Sequence, residues 1–310
     1  MFVSKNKKLA GYFMKFKSLS ILFFSTLFVF SANASIVDSV KTNKKRVIIV
    51  SGSLGLYFAA SYLYVQNAWW NDISEEFHFD PGNDLVYALN VDKAAHFFGG
   101  VYASDLFSSS YRWAGIGKTR SKWYGAAFGI GVQLAIEFKD AYAPYWGFSK
   151  WDLGLGSVGA LWPVLQNYYD PLKAINFKFS YFKRSNIYWE LEAQRGKNPS
   201  KFSWYDDYPN QTYWVTLDLD KLANNSKLPK WMDIAIGFGL DDTQYLSNGN
   251  GTKMGGNQEF YISLDYDTNQ ILKKWNTPIA RKIKFILKYY KLPAPTIQIS
   301  PQINFLPFFI

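Results

Sequence analysis

The sequence predicts an α+β protein: an N-terminal helical bundle rich in small residues, followed by a largely antiparallel β sheet or small barrel. Two observations support this prediction. Before about Pro171, apolar and small residues form long uncharged runs with helical spacing. After Pro171, apolar and polar residues mostly alternate with a period of two, as in strands with one apolar face. The expected parts are therefore a signal peptide at 1–34, a membrane-associated helical domain at 35–171 and a β domain at 172–310.

The first 34 residues have the pattern of a secretory signal peptide. Five lysines, the last of them Lys17, precede a short apolar run at 20–30, and Ala32-Asn33-Ala34 supplies the small residues of a cleavage site. A membrane anchor is the alternative, but a spanning helix needs about 20 apolar residues. We expect cleavage before Ser35. We also expect a location in the cell envelope of a Gram-negative-type bacterium, on the periplasmic side and associated with the outer membrane.

Composition argues against several classes of protein. The chain has 310 residues, a formal net charge of +10 and no cysteine. Without the signal peptide the charge falls to +5, and no compact basic face with base-reading residues stands out, so we expect no nucleic-acid partner. The lack of cysteine excludes a lipidated cysteine, a thiol nucleophile and thiolate metal sites. Aromatic residues make up 19% of the sequence, which is typical of membrane interfaces, binding surfaces or an aromatic core.

Four helices are expected in the first part, at residues 47–65, 92–113, 119–142 and 151–169. Asn90 is a good cap for the second helix, and Ser149 with Asp152 matches a capping box at the start of the fourth. Small residues recur along these helices, and Gly125 and Gly129 form a GxxxG pattern. Such faces let backbones approach closely, either in a membrane bundle or in a tightly packed water-soluble one.

Residues 47–65 are the only predicted helix that is long and apolar enough for a bilayer. Basic residues precede this segment and acidic residues follow it. The positive-inside rule would leave the basic end in the cytoplasm, whereas a cleaved signal peptide would place it outside. We therefore expect this helix to pack on the others or to lie in an outer or peripheral membrane layer.

Five runs in the second part predict strands, near residues 177–181, 213–220, 234–240, 260–267 and 297–305. Each run has one apolar face and one polar or small-residue face, which suits a sheet covered on one side or a small barrel with a polar lumen. Residues 277–291 lie before the last run and carry five basic side chains and no acid. Their apolar residues recur at helical spacing, which predicts a basic amphipathic helix. It would lie on an anionic membrane surface or pack on the sheet.

One polar cluster interrupts the apolar helical sequence; it consists of Asp92, Lys93, His96, Glu137, Asp140, Ser149 and Asp152. Spacings of three and four residues place the members of each segment on one helix face. His96, Glu137 and Asp140 are the candidate catalytic residues, with His96 as a general base. The candidate binding residues are Asp92, Lys93, Ser149 and Asp152. A divalent metal is compatible with this set, but a single histidine is a weak zinc signal, so metal and cofactor stay open.

Each member of the cluster also has a purely structural interpretation. Asp92 stabilises a helix N-terminus, Lys93 pairs with Glu137 or Asp140, and His96 is a satisfied core histidine. Under either interpretation we expect His96 to lie within hydrogen-bonding distance of a carboxylate of the cluster, because an unpaired buried charge costs several kcal/mol.

The cluster lies in segments that resemble the YfiM-like family of predicted periplasmic lipoproteins: DKAAHF, WYGAAFGIGVQLAIEFKD and GFSKWDLGLGSVGA. The flanking segments NAWWNDISEEFHFDPGND, DDYPNQTYWVTLDLDKL and PKWMDIAIGFG extend this resemblance over most of the chain. The pattern DKxxH, ExxD, SxxD is also similar to VanZ-like membrane proteins, although Gly156 stands where those carry Asn. The resemblance implies an envelope protein with a shared polar site at the cluster, and it supplies no reaction. A lipid anchor does not fit a chain without cysteine.

Two functions are compatible with these observations. The first is a non-enzymatic, membrane-associated envelope protein that binds a membrane surface or lipid, another envelope protein or a ligand. The alternative is an enzyme or transporter-like component that acts on a lipid or cell-wall intermediate through the His96 cluster. The enzyme requires His96, Glu137 and Asp140 to converge in a cleft with room for a substrate.

Overall fold

The computed structural model describes residues 42–68, 75–82, 84–144, 146–195, 207–223, 228–247 and 253–310. The expected signal peptide lies outside these residues. The helices are α1 Lys44–Ala68, α2 Val91–Trp113, α3 Lys118–Asp140, α4 Lys150–Tyr168, α5 Ile187–Gln194, α6 Leu219–Ala223, α7 Thr268–Ile271 and α8 Pro278–Tyr289. The strands are β1 Ile175–Tyr181, β2 Gln211–Asp218, β3 Met232–Leu240, β4 Gln244–Leu246, β5 Lys253–Gly255, β6 Gln258–Tyr266, β7 Ala294–Ser300 and β8 Asn304–Phe309. The predicted α+β class, with long helices first and strands later, is confirmed.

Helices α2, α3 and α4 form a tightly packed bundle. Small residues lie where the helices touch, because a larger side chain would collide with the neighbouring backbone. A Cβ atom at Gly100 of α2 would meet the carbonyl of Gly156 in α4, and one at Gly125 of α3 would meet the carbonyl of Ser104 in α2. The glycines thus set the close approach of the three helices that carry the polar cluster.

The first part of helix α1 lies against the end of α2 that is remote from the cluster. Val50 and Leu54 are fully buried against Phe107 and Tyr111 of α2. Outward residues of α1, such as Ile48, remain exposed. Within the described residues, none of the helices combines the length and the apolar character that crossing a membrane requires.

Six strands form one antiparallel sheet in the order β1-β2-β3-β6-β7-β8. The sequence was compatible with either a sheet or a small barrel, and the structure has an open sheet. Strands β4 and β5 pair separately as a small two-stranded sheet. This small sheet docks on α5, where Lys253 pairs with Glu192 at 2.9 Å.

The large sheet is curled around its polar face. Lys178 of β1 pairs with Asp265 of β6 over 2.6 Å, although β2 and β3 lie between them. In a flat sheet three strand spacings amount to about 14 Å, which a lysine side chain cannot bridge. The small, polar and aromatic side chains of this face are therefore buried, as the strictly alternating burial of β6 shows. The apolar face points outward.

The helical bundle covers one part of this outward apolar face. Phe97 and Phe98 of α2 pack on aromatic side chains of β1 and β2, with ring centroids of Phe97 and Phe177 4.7 Å apart and those of Phe98 and Tyr213 5.9 Å apart. Helix α8 also docks on α2, through Tyr289. The outward residues of β6, β7 and β8 stay exposed.

The two edges of the sheet differ. The free edge of β1 is joined by the segment after α8, because Tyr290 forms a bridge with Phe179 and the Lys291 amide donates to the Phe179 carbonyl at 3.0 Å. Within the described residues, β8 is the last strand at the other edge. This strand contains Pro307, a residue that is tolerated at sheet edges because it lacks an N–H group.

Some local predictions were wrong. The run predicted as one strand near 297–305 is a hairpin of β7 and β8, interrupted around Pro301, which cannot donate to a strand ladder. Asn90 precedes α2, but its side chain makes no cap and donates instead to the Leu85 carbonyl at 3.0 Å. The strands β4 and β5 and the helix α5 were not predicted.

Candidate functional site

The polar cluster lines a cavity of about 340 Å³ between the helices and the segment that precedes α2. Side chains of α2, α3 and α4 form its floor, and Tyr57 and Tyr208 contribute to its walls. Its charged lining is one-sided, with five aspartates and no lysine or arginine among the described residues: Asp80, Asp84, Asp92, Asp140 and Asp152. Such a lining favours a cationic ligand.

A strap at residues 75–82 passes beside the cavity and contributes Asp80 to its lining. The His78 amide donates to the Ala141 carbonyl at 2.9 Å, and His78 Nε2 lies 2.7 Å from the Trp146 carbonyl. Asp80 Oδ1 then accepts from the Asp84 amide at 2.9 Å, which turns the Asp84 side chain towards the bundle. A loop residue outside the predicted cluster therefore becomes part of the site.

Lys93 connects three carboxylates beneath the cavity. Its Nζ donates to Asp92 Oδ2 at 3.0 Å and to Asp152 Oδ2 at 3.1 Å, and it also contacts Asp84 Oδ1. The alternative that Lys93 pairs with Glu137 or Asp140 was wrong, because the ammonium group lies between α2 and the start of α4. Asp92 and Asp152 raise the pKa of Lys93 against the lowering effect of burial, so it stays charged.

Ser149 caps α4 and joins it to two carboxylates. Its Oγ accepts from the Asp152 amide at 2.9 Å, which is the predicted cap. The same hydroxyl donates to Asp84 Oδ2 at 2.7 Å. The Ser149 amide donates to Glu137 Oε2 at 2.9 Å. In a capping box this amide would donate to the side chain of Asp152, so here Glu137 is the acceptor instead.

His96 lies between α3 and α4 and is held by Gln133. Its Nδ1 lies 2.8 Å from Gln133 Oε1, and Gln133 Nε2 donates to the His96 carbonyl at 3.2 Å. The nearest carboxylate atoms are Glu137 Oε1, 3.9 Å from Nδ1, and Asp152 Oδ1, 4.0 Å from Nε2. The expected hydrogen bond to a carboxylate was therefore wrong, although both carboxylates lie within the range of direct charge interaction.

The charged groups of the site shift one another's pKa values. Burial raises the pKa of Glu137 to about 8, an effect that His96 opposes and Asp140 reinforces. Burial, followed by the neighbouring Asp152, also raises the pKa of Asp92 above its ordinary value. Burial lowers the pKa of His96, but Asp152, Glu137 and Asp92 outweigh it, so the net shift is upward. Groups that exchange protons near neutral pH are suited to acid–base work or to holding a cation.

The seven predicted residues converge, but not all face the cavity. Asp92, His96, Asp140, Ser149 and Asp152 line it. Glu137, 1% exposed, and Lys93 lie behind the lining and contact its members.

Sequence reasoning missed several participants, among them Gln133 and Asp84. Gln133 carries no charge, and its only signal is a position one helical turn before Glu137 in an apolar run. Asp84 precedes α2 in a segment that carried only the family resemblance.

A donor set for a metal ion is present in the cluster. One ligand atom each from His96, Glu137 and Asp152 lies within 4.8 Å of the others. The set combines one imidazole with two carboxylates, a mixture that divalent first-row metals accept.

Comparison with known proteins gives one family. Residues 79–168 match a family described as predicted periplasmic lipoprotein (DUF2279). This range contains α2, α3, α4 and the whole cluster. The match supports a periplasmic, envelope-associated location and supplies no activity. The finer likenesses to YfiM-like and VanZ-like proteins stay predictions. No curated protein and no solved structure matches the chain.

Proposed function

We propose that this chain is a non-enzymatic cell-envelope protein that sits in one leaflet of a membrane, on the periplasmic side of the outer membrane, and binds a ligand or partner there. The observation that carries the proposal is the outward apolar face of the large sheet. The family match to predicted periplasmic lipoproteins supports the compartment.

The outward face forms a continuous apolar row across four strands. Ile236 pairs with Ile262, Ile262 with Ile297 and Ile297 with Phe305. Each of these four side chains is at least 45% exposed. Large exposed apolar patches mark binding surfaces in soluble proteins and lipid contacts in membrane proteins.

Lipid is the occupant that this face fits best. Protein interfaces carry about one hydrogen bond per 100–200 Å² and are enriched in arginine and tyrosine. The row contains only isoleucine and phenylalanine. The polar groups of the same strands point into the curl, where Lys178 pairs with Asp265 and Trp214 Nε1 donates to Ser180 Oγ at 2.9 Å. An apolar exterior around a polar interior is the arrangement that membrane β proteins present to hydrocarbon.

The depth of the apolar band indicates one leaflet. On β6 the exposed apolar residues run from Phe260 to Leu264. Four strand steps cover about 13 Å. The hydrocarbon core of a bilayer is about 30 Å thick, so this band matches roughly half of it.

Helix α8 supplies a second, electrostatic contact. It carries Arg281, Lys282 and Lys284 and no acidic residue, and Ile279 and Ile286 are exposed beside them. Basic side chains near an anionic surface each contribute about 1 kcal/mol of attraction. The same helix packs on α2 through Tyr289, so membrane contact through α8 would also position the helical bundle.

Vesicle flotation of the full mature chain tests the proposal. The wild type is expected to float with vesicles of phosphatidylglycerol and phosphatidylcholine, and high salt should weaken this binding without abolishing it. Ile236→Asp and Ile262→Asp should each reduce the bound fraction at least about tenfold, because a charge in hydrocarbon costs about 2.5–3.5 kcal/mol. Ile271→Asp is the matched control, since Ile271 is similarly exposed, at 52% against 45% for Ile262, but lies on α7.

Two results would overturn the proposal that the protein sits in one leaflet of a membrane. One is a wild-type chain that stays in solution at every lipid concentration without detergent. The other is equal loss of binding in Ile271→Asp and Ile262→Asp, which would indicate a general charge effect. Circular dichroism of each variant must first show an intact fold.

A second candidate function, an enzyme acting on a lipid or cell-wall intermediate, is favoured by the cavity at His96. Its volume of about 340 Å³ is at the lower end of the range for small-molecule sites. A His96→Gln variant that folds normally but fails to complement a deletion strain would support a functional site. Full complementation by His96→Gln would rule out His96 as a base.

A further inference from the structure

The three candidate metal ligands come from three different helices that the fold holds rigidly. His96 is on α2, Glu137 on α3 and Asp152 on α4. The close approach of these helices at Gly100 and Gly156 fixes their spacing. Ligand bonds of about 2.0–2.2 Å place two donors of a tetrahedral ion about 3.4 Å apart, and two donors on opposite sides of an ion up to about 4.2 Å apart. His96 Nε2 lies 4.0 Å from Asp152 Oδ1, and Glu137 Oε1 lies 3.9 Å from the other ring nitrogen, Nδ1. One ligand atom from each of the three residues lies within 4.8 Å of the others, so a small inward shift of the side chains brings them onto one ion.

Gln133 leaves one nitrogen of His96 available. The Gln133 amide is oriented by its Nε2, which donates to the His96 carbonyl, so its Oε1 faces His96 Nδ1 at 2.8 Å. An amide oxygen only accepts, and therefore Nδ1 carries the proton. The lone pair of the neutral ring is then on Nε2, the nitrogen that faces Asp152. Metal-binding histidines commonly have this arrangement, in which an oxygen holds the other ring nitrogen.

Glu137 presents an unused buried oxygen close to the His96 ring. Its Oε2 accepts from the Ser149 amide, whereas Oε1 has no hydrogen-bond partner among the residues that the structure describes. Glu137 is 1% exposed, so water does not reach this atom freely. An unsatisfied buried carboxylate oxygen is costly, and a cation beside it would remove that cost.

The negative charge around these three residues also favours a bound cation. The cavity is lined by five aspartates and, among the described residues, by no lysine or arginine. Lys93 neutralises only one charge of the three carboxylates that it contacts. A dication between His96 and Glu137 would offset much of the remaining negative charge.

We propose that His96 Nε2, Glu137 Oε1 and Asp152 Oδ1 bind one divalent first-row transition-metal ion, of the Mn²⁺ or Zn²⁺ type, at the floor of the cavity. Imidazole and carboxylate donors together suit these ions better than Ca²⁺, which prefers oxygen ligands alone. Asp140 and Asp92 lie near enough to tune the site by charge. This inference concerns the helical bundle and holds independently of membrane seating by the sheet.

Metal titration of the purified, chelator-treated full mature chain tests the site. Loss of the free Mn²⁺ signal in electron paramagnetic resonance measures binding, and Zn²⁺ competition measures selectivity. The expected result is one equivalent of bound ion and a higher melting temperature with metal. Glu137→Gln and Asp152→Asn should each weaken affinity by at least about tenfold. Two variants are used so that a folding defect in one leaves the other informative.

Asp170→Asn is the control, because it removes one carboxylate from an exposed position outside the cluster. It should bind Mn²⁺ like the wild type. The proposal would be overturned by a wild-type chain that binds neither ion. It would also be overturned if folded Glu137→Gln and Asp152→Asn retained wild-type affinity, or if Asp170→Asn lost as much affinity as they do.

Discussion

Tyr289 donates its hydroxyl to Asp105 Oδ2 over 2.7 Å, and this buried bond joins the C-terminal helix α8 to the helical bundle. Lys288 lies 2.8 Å from the same oxygen, and Lys122 of α3 lies 2.5 Å from Asp105 Oδ1. One carboxylate of α2 thus holds α3 on one side and α8 on the other.

Replacing Asp105 should destabilise the protein in a pH-dependent way. Burial raises the pKa of Asp105, but Lys122 and Lys288 outweigh it and hold the pKa well below its ordinary value. The ionised group therefore stabilises the fold fully above the unfolded pKa of about 3.9, and this contribution is lost as pH falls below it. Asp105→Asn should lower the free energy of unfolding by about 3–5 kcal/mol at pH 7, because it leaves two cations unpaired.

Denaturant titrations of wild type and Asp105→Asn over a pH series check this prediction. The difference between their free energies of unfolding should stay constant from neutral pH to about pH 5 and become smaller below about pH 4. A gap that widens on acidification would contradict the assigned ion pairs.

Gly159 and Gly154 should respond oppositely to alanine. A Cβ at Gly159 would collide with the Phe97 backbone of α2, whereas one at Gly154 meets nothing within 4 Å. Gly159→Ala should cost about 1–3 kcal/mol through overpacking. Gly154→Ala should gain up to about 1 kcal/mol, because glycine is a poor helix former. Thermal melts of both variants measure the difference, and equal effects would refute the close contact between α2 and α4.

Arg184 should not be replaceable by lysine. Its guanidinium binds Glu259 through both terminal nitrogens and also donates to the carbonyls of Leu240 at 2.9 Å and Pro209 at 2.8 Å. A lysine ammonium lacks this planar fork, so Arg184→Lys should cost about 2–4 kcal/mol. Lys230→Met, which removes an exposed pair of 4.0 Å, should change stability by less than about 0.5 kcal/mol. Similar costs for both substitutions would contradict this difference.

Lys291 should make the sheet more stable in alkaline solution. Burial lowers the pKa of Lys291 to about 8; Asp265 opposes this and Lys178 adds to it. Between about pH 8 and the unfolded pKa near 10.4, the unfolded chain binds more protons, so stability rises with pH. Relative to Lys291→Met, the wild type should gain at most about 3 kcal/mol over this window. Denaturation at pH 8 and pH 10 measures the gain, and a loss instead would refute the assigned shift.

The sequence predicted the long elements well because their patterns are local. The four helices expected at 47–65, 92–113, 119–142 and 151–169 appear as α1 to α4 with ends displaced by only a few residues. Helical spacing also predicted that Asp92 and His96 share one face of α2 and that Glu137 and Asp140 share one face of α3. These features depend on neighbours along the chain, which a sequence displays directly.

The remaining features depend on contacts between distant segments. The partner of His96 is Gln133, an uncharged residue that no charge pattern marks. Asp84 reaches Lys93 only because a strap is folded over the bundle. Alternation revealed that each strand has two faces, but the direction of the curl decides which face is buried, and pairs such as Lys178 and Asp265 set that direction. Such pairings across the sheet leave no local pattern.

The difference between the two edges of the large sheet affects how readily two copies of this chain can pair their strands. At β1, the segment at Tyr290 and Lys291 already pairs with Phe179 inside the strand, so an incoming strand cannot pair along the full length of this edge. At β8 the outer backbone groups have no neighbouring strand among the described residues, and Phe305 and Phe308 stand exposed beside them. An exposed apolar edge is a template for strand addition between molecules. Pro307 removes one donor from the middle of this edge, and it thereby limits self-association when the protein is concentrated.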